Sequence, residues 1–227
     1  MAPNPQSSTH EQTFGQTIHA RVRLSVKTDV PHLHKLMQQM ASYHDYTKVF
    51  TSTQTSISTN LFDSNPCPPF YSATALILEV SPNSFPPAVL PVGFDPVYKT
   101  LHLGSAIADP ESETYESQEG DDNVVVAGYI LFYPSYSGYF EKPSIFMENL
   151  YVRECYREFG LGKMLFSAMA ARAATLGFST ADWLVVGWNV KAIEFYVGMG
   201  GQIMQDVKRF RLSGEGLKAF AKEQDEQ

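Results

Sequence analysis

Ile145-Phe-Met-Glu-Asn-Leu-Tyr-Val152, running on through Arg153-Glu-Cys-Tyr-Arg-Glu-Phe-Gly-Leu-Gly-Lys163, is the stretch that decides the fold. Its first half is an apolar run rich in aromatic and β-branched residues, which reads as a strand. Its second half is a turn leading into a helix. Leu161, Leu165, Ala168, Met169 and Arg172 recur at helical spacing, and Gly177 stands where a C-terminal cap belongs. In such a turn Gly160 and Gly162 leave backbone N–H groups bare at the positive helix end, where they can meet a pyrophosphate. As a bare pattern Arg157-x-x-Gly160-x-Gly162 is short, and an ordinary turn that avoids Cβ clashes is the competing reading. It is neither a Walker loop nor the longer Gly-x-Gly-x-x-Gly fingerprint, which argues against nucleoside triphosphate and dinucleotide chemistry.

Upstream, residues 1–18 are rich in Pro, Ser, Thr and Gln without periodicity and are expected to form a disordered tail. Residues 19–25 alternate as a half-buried strand does. A helix follows, with Thr28 or Asp29 as its cap, Pro31 in its first turn, and Val30, Leu33, Met37 and Met40 on one face. A second helix is expected over residues 52–62, stopped by Pro66, Pro68 and Pro69. Residues 73–80 and 123–133 read as strands that pair as neighbours. Between them residues 82–122 form a Pro-rich and then acidic insertion, expected to be a solvated surface segment, with a substrate lid as the alternative. Downstream come a strand at 182–188, a helix from Val190 to Met199, and a last strand near 208–212. Alternating strands and helices predict an α/β chain with a mixed sheet packed by helices, in a single domain over residues 19–222.

The chain has 227 residues, 44% of them hydrophobic, enough for one sizeable core. A net charge of -7 offers no general attraction to phosphate backbones or anionic membranes, so neither nucleic acid nor a membrane is expected as a partner. Only Cys67 and Cys155 are present, and the polar N-terminus reads as no leader, so a cytoplasmic protein without disulfides is expected. No ligand spacing stands out among the six histidines, and neither cysteine has a visible catalytic partner, so metal and cysteine catalysis are not expected.

One strand and one helix beyond the glycine turn stands Trp188-Asn-Val-Lys-Ala-Ile-Glu-Phe-Tyr-Val-Gly-Met-Gly-Gly201. The two segments together resemble the Gcn5-related N-acetyltransferase (GNAT) superfamily. Further likeness, in Arg21-Val-Arg-Leu, Leu36-Met-Gln-Gln-Met-Ala-Ser-Tyr43, Phe146-Met-Glu-Asn-Leu-Tyr-Val152 and Trp188-Asn189, points to its diamine and polyamine acetyltransferase branch, and Tyr43-His-Asp-Tyr-Thr47 with Leu78-Glu-Val-Ser-Pro82 most resembles the hydroxycinnamoyl group among its plant members. The plant members of that branch include tyramine N-hydroxycinnamoyltransferases and ornithine or diamine acetyltransferases. The resemblance implies a GNAT fold, a central mixed and mostly antiparallel twisted sheet flanked by helices, and a homodimer.

It also implies the site. The backbone of Leu150, Tyr151 and Val152 would receive the pantetheine arm of acyl-CoA, and the turn of Arg157, Glu158, Phe159, Gly160, Leu161, Gly162 and Lys163 its pyrophosphate. Asn189, Lys191 and Ala192 would lie along the cofactor's other side. Tyr196 would protonate the departing CoA sulfur, since a phenol is a proton donor at neutral pH; a core aromatic is the alternative. Glu148 would bind the acceptor ammonium and take its proton through water, with an ion-paired structural carboxylate as the alternative. Tyr43 and His44 would approach the amine. Polyamine enzymes of this branch carry Glu-Asp where this chain has Glu148-Asn149, which shifts the expectation from dications toward monoamines. Tyr43, Tyr46, Phe70, Tyr71 and Tyr133 are candidates to line a pocket for a phenolic ring, against ordinary core packing.

The expected activity is direct transfer of an acyl group, hydroxycinnamoyl from feruloyl- or coumaroyl-CoA being favoured, to a primary aromatic monoamine such as tyramine. Acetyl transfer from acetyl-CoA to diamines, ornithine or aromatic amines such as serotonin is the alternative, and an acyl-CoA sensor without turnover is the non-enzyme reading.

Overall fold

The computed structural model describes residues 16–64, 67–86, 93–118, 123–138 and 142–225. Most of the expected N-terminal tail lies outside them, although order begins by Thr17, two residues inside its boundary. The chain falls into two compact units, residues 1–184 and 185–227, and each is described by itself.

In the first unit, strands β1 (Thr17–Leu24), β2 (Thr74–Ser81), β3 (Val97–His102), β4 (Val125–Ser137), β5 (Lys142–Val152) and β6 (Ala181–Trp183) form one sheet in the order β3-β1-β2-β4-β5-β6. All neighbours are antiparallel except β5 and β6. Strands 73–80 and 123–133 do pair, as β2 and β4. Helices α1 (Val30–Tyr43), α2 (Gln54–Ser58) and α3 (Leu161–Thr175) cover the sheet, and a π-helical turn, Thr59–Asp63, completes the second expected helix. Every residue of β2 is buried, as expected of a strand covered on both faces. Gly177 ends α3 as expected: its N–H bonds to Ala174 and that of Phe178 to Ala173.

A buried ionic cluster joins β1, β2 and the start of α1. Glu79 is fully buried directly across the ladder from Arg21. Its two oxygens accept from Arg21 Nε and Arg23 Nη2, both at 2.8 Å. Arg23 also forms a two-pronged pair with Asp29, at 2.7 and 2.8 Å. This corrects the expected capping role of Asp29. Its carboxylate is spent on Arg23 and on the Val26 N–H, so it makes no cap for α1.

The acidic insertion is also more structured than a solvated run. β3 adds an edge strand to β1, Tyr115 is buried, and Ser117 donates to Glu79. Asp109 accepts from Arg153 Nη1 at 2.8 Å and from Tyr156 Oη at 2.8 Å. Arg153, only 2% exposed, lies 3.9 Å from the Tyr115 ring centroid. A lone acidic run stays in water, but this one meets a buried guanidinium that requires a counter-charge.

Two other expectations are revised. The strand at 182–188 shortens to β6, because an extra residue bends β5 away after Met147 and a parallel neighbour cannot follow it. The strand near 208–212 does not form. Among the described residues the second unit contains helices α4 (Val190–Gly198) and α5 (Glu215–Asp225) and no strand that could complete a ladder with it.

Glu79→Gln removes the buried charge that pairs with both Arg21 and Arg23. It is expected to lower the unfolding free energy by about 3–5 kcal/mol, read as a reduced urea midpoint at unchanged slope.

Candidate active site

The pairing of β4 with β5 is interrupted at one place. Leu131 faces Asn149 and Phe132 faces Met147, so Glu148 is an extra residue on β5 with no partner across the ladder. A bulge of this kind re-aims its side chain. Glu148 is exposed, and among the described residues no Arg or Lys pairs with it, which removes the structural ion-pair reading. The Asn149 side chain folds back and donates to the Glu148 carbonyl at 2.9 Å. Beneath the bulge, burial pushes the Tyr129 phenol well above its ordinary range, with the charges of Tyr151 and Glu148 adding to the effect. Its hydroxyl reaches Met40 Sδ of α1 at 3.8 Å.

β6 pairs only with Ile145–Met147, so the Leu150, Tyr151 and Val152 segment is held by β4 on one side and, among the described residues, has no strand paired on the other. That open edge offers backbone donors and acceptors to an extended ligand arm. β4 and β5 stay close just there. A Cβ on Gly128 would fall 2.5 Å from the Tyr151 carbonyl oxygen, so only glycine fits.

The turn after β5 passes through a short 3₁₀ turn, Glu154–Tyr156, into left-handed backbone at Glu158 (φ 68°) and Gly160 (φ 75°). Gly160 caps α3 without a side chain, leaving the first N–H groups of the helix to other acceptors. Arg157 turns elsewhere. Its Nε donates to the Val152 carbonyl at 2.8 Å, and its guanidinium lies 5.1 Å from the Tyr43 ring and 5.3 Å from Tyr151. Arg157, Tyr43 and Tyr151 line a cavity of about 630 Å³ with Gln39, Asp109 and Glu111. Gly160 and Lys163 line a different groove, of about 700 Å³.

At the end of α1 the rings of Tyr43, His44 and Tyr46 follow one another at 5.3 and 6.0 Å. Burial lowers the His44 pKa, so its imidazole is neutral at pH 7 and able to accept a proton. Of the other aromatic candidates, Phe70 is buried against Phe94 and Phe132, Tyr71 sits against Phe178, and Tyr133 stacks on Phe146. Tyr43 lines a cavity with other site residues. Burial raises the Cys155 pKa, which keeps it a thiol rather than a nucleophilic thiolate.

In the second unit the Asn189 side chain caps α4, its Oδ1 accepting from the Ala192 N–H at 3.2 Å. Lys191 and Ala192 form the first turn, and Tyr196 lies in the last, its ring edge-on to Phe195 at 5.0 Å. Burial pushes the Tyr196 phenol up to about 12. It remains protonated across the physiological range.

Residues that the sequence did not single out also shape the site. Arg153 and Asp109 fasten the insertion beside the Tyr43 cavity, and Gly128 sets the strand approach. A glycine inside a β-branched strand was the available signal for Gly128. The Arg153–Asp109 pair, 44 residues apart, had none.

A family profile described as "Acetyltransferase (GNAT) family" matches residues 81–200. Tyramine N-feruloyltransferase 4/11 of Nicotiana tabacum is 39% identical over 92% of this chain and 94% of its own. L-ornithine N5-acetyltransferase NATA1 of Arabidopsis thaliana is 37% identical over 97% of this chain and 96% of its own. Among solved structures, an aminoglycoside acetyltransferase from an uncultured soil metagenomic sample superimposes with a TM-score of 0.54 at 13% identity, over 86% of this chain and 96% of that one, a likeness of fold. The chain belongs to the GNAT acetyltransferase family and is an acyl-CoA-dependent N-acyltransferase. Among the described residues no helix is long and apolar enough to cross a membrane.

Burial alone would raise the Asp109 pKa, but hydrogen bonds from Arg153 and Tyr156 overcome it and hold the carboxyl below its ordinary range. A depressed carboxyl contributes stability above its unfolded pKa of about 4, lost as pH falls through the folded value. Asp109→Asn is therefore expected to destabilise at pH 7, with the gap from the unaltered protein closing progressively below about pH 4, measured by urea unfolding across that range.

Proposed function

We propose that this enzyme moves a hydroxycinnamoyl group from feruloyl- or coumaroyl-CoA to a primary aromatic monoamine such as tyramine. The observation that carries the proposal is the bulge: it presents one carboxylate, Glu148, whose neighbour is an amide, Asn149, tied back to the main chain. One carboxylate suits one ammonium. Support comes also from the relation to the tobacco tyramine N-feruloyltransferases.

In this reading the acyl-CoA arm lies along the open edge at Leu150, Tyr151 and Val152. Its pyrophosphate meets the turn of Glu158, Phe159, Gly160, Leu161, Gly162 and Lys163, with Arg157 at its base. Asn189, Lys191 and Ala192 flank the cofactor. Glu148 holds the ammonium and accepts its proton through water, while Tyr43 and His44 approach the aromatic acceptor. The neutral amine then attacks the thioester carbon, forming the C–N bond and an oxyanion, and the C–S bond breaks as that oxyanion collapses. Tyr196 donates its proton to the leaving thiolate, for which a phenol kept neutral by burial is suited, and the second proton shed by the new amide nitrogen restores the phenol. A homodimer and a cytoplasmic location belong to the same proposal.

The competing reading, acetyl transfer to ornithine or a diamine, draws on the relation to the Arabidopsis ornithine acetyltransferase. CoA release measured with acetyl-CoA and feruloyl-CoA, each against tyramine, serotonin, putrescine and ornithine, separates the two. Feruloyl-CoA with tyramine is expected to give the highest kcat/KM, and a preference for acetyl-CoA with putrescine would sink the proposal. Tyr196→Phe is expected to reduce kcat by about 10²–10⁴-fold while the dissociation constant for CoA changes little; unchanged turnover removes Tyr196 as the acid.

A further inference from the structure

Tyr129 carries a phenol into the interior at the one place where the β4–β5 ladder is disturbed. It follows Gly128, where the strands approach most closely, and stands directly opposite Tyr151. Two residues on, at Leu131, the Glu148 bulge interrupts the pairing. Tyr129 is fully buried, yet among the described residues the one hydrogen bond of its hydroxyl is to Met40 Sδ, at 3.8 Å. A thioether is a weak acceptor, so the donor is poorly used. A buried hydroxyl matched this badly costs stability that a phenylalanine of the same shape would not. Packing gives no return for that cost. Of the titratable groups around the phenol, Glu148 and Tyr151 of β5 lie close enough for their charges to act on it. The other packed elements face it with uncharged side chains, Ile77 from β2 and Met40 from α1, with Tyr43 and His44 one turn further along that helix. Burial keeps the phenol protonated, which makes it a standing donor.

We propose that Tyr129 is a positioning residue for Glu148: when an amine is bound, its hydroxyl leaves Met40 Sδ and donates to the Glu148 carboxylate, holding it toward the acceptor. The inference rests on the reading of Glu148 as the group that receives the ammonium. An exposed side chain on a bulge has little packing to fix it, and among the described residues Glu148 has no Arg or Lys partner that would. It is therefore free to turn inward. A hydrogen bond to a carboxylate is about twice as strong as one between neutral groups, and stronger still than one to sulfur. The donor is also uncharged. It orders the carboxylate without cancelling the charge that attracts the ammonium, whereas an arginine in its place would do the first and spoil the second.

Initial rates between about pH 5 and pH 9, with whichever donor and amine of the panel above give the highest kcat/KM, test the proposal on the unaltered full-length protein, Tyr129→Phe, Glu148→Gln and the double variant. Tyr129→Phe keeps the ring and removes only the poorly matched hydroxyl, so its melting temperature is expected to stay level or rise. Its kcat/KM for the amine is expected to fall by about tenfold at neutral pH, with KM for the acyl-CoA unchanged. The acid limb of its profile is expected to move up by about one pH unit, because a bond to the ionised carboxylate favours ionisation and its loss does the reverse. A phenol that merely fills space would move neither. In the Glu148→Gln background Tyr129→Phe is expected to cost nothing further, since the two act as one unit. An unchanged acid limb, or a loss of the same size in both backgrounds, overturns the role of Tyr129 and leaves that of Glu148 standing. Full activity of Glu148→Gln removes both.

Discussion

Two arginines stand on one strand, Arg21 and Arg23, both buried and two residues apart, so they share one face of the sheet. Ile18, Ala20, Val22 and Leu24 occupy the opposite face, so the strand is buried on both sides, and a guanidinium cannot be left uncompensated in that environment. Glu79 and Asp29 are the answer. One fixes the register of β1 against β2, and the other fixes where the chain leaves β1 to begin α1. Ser117 adds a third direction by bonding the insertion to Glu79. The end of α1, with Tyr43 and His44, inherits its position from this cluster.

A second buried cation repeats the pattern beside the site. Arg153 follows β5 directly and draws Asp109 onto itself, with Tyr115 over its face. The two clusters explain why a segment with so many acids is partly folded in. A carboxylate in water gains little from a surface partner, whereas a buried guanidinium with no other anion gains much.

Strands β1, β2, β4 and β5, helices α1 and α3 and the glycine turn were legible in the residues, because hydrophobic period and capping act locally, whereas β3 was not. So were the positions of the β5 and α4 segments that carry the family likeness. What escaped was non-local. The partner of Asp29, the burial of Tyr115 and the arrival of Lys99 at α3 depend on residues brought together by folding. The strand expected at 208–212 failed for a related reason, since alternation describes half a ladder and says nothing of the other half. At Arg157 the motif placed the residue correctly in the turn, but the neighbouring rings of Tyr43 and Tyr151 decided where its guanidinium points.

Glu158 holds left-handed backbone, a conformation that costs a side-chain-bearing residue roughly 1 kcal/mol or more. A glycine would sit there without strain, yet it would also let the free turn wander among many shapes. With glutamate the turn has fewer shapes to lose, so less entropy would be given up in the proposed binding of acyl-CoA phosphates. The discomfort of one residue becomes readiness in the loop, and the neighbouring Gly160 keeps the closest approach open for the backbone itself.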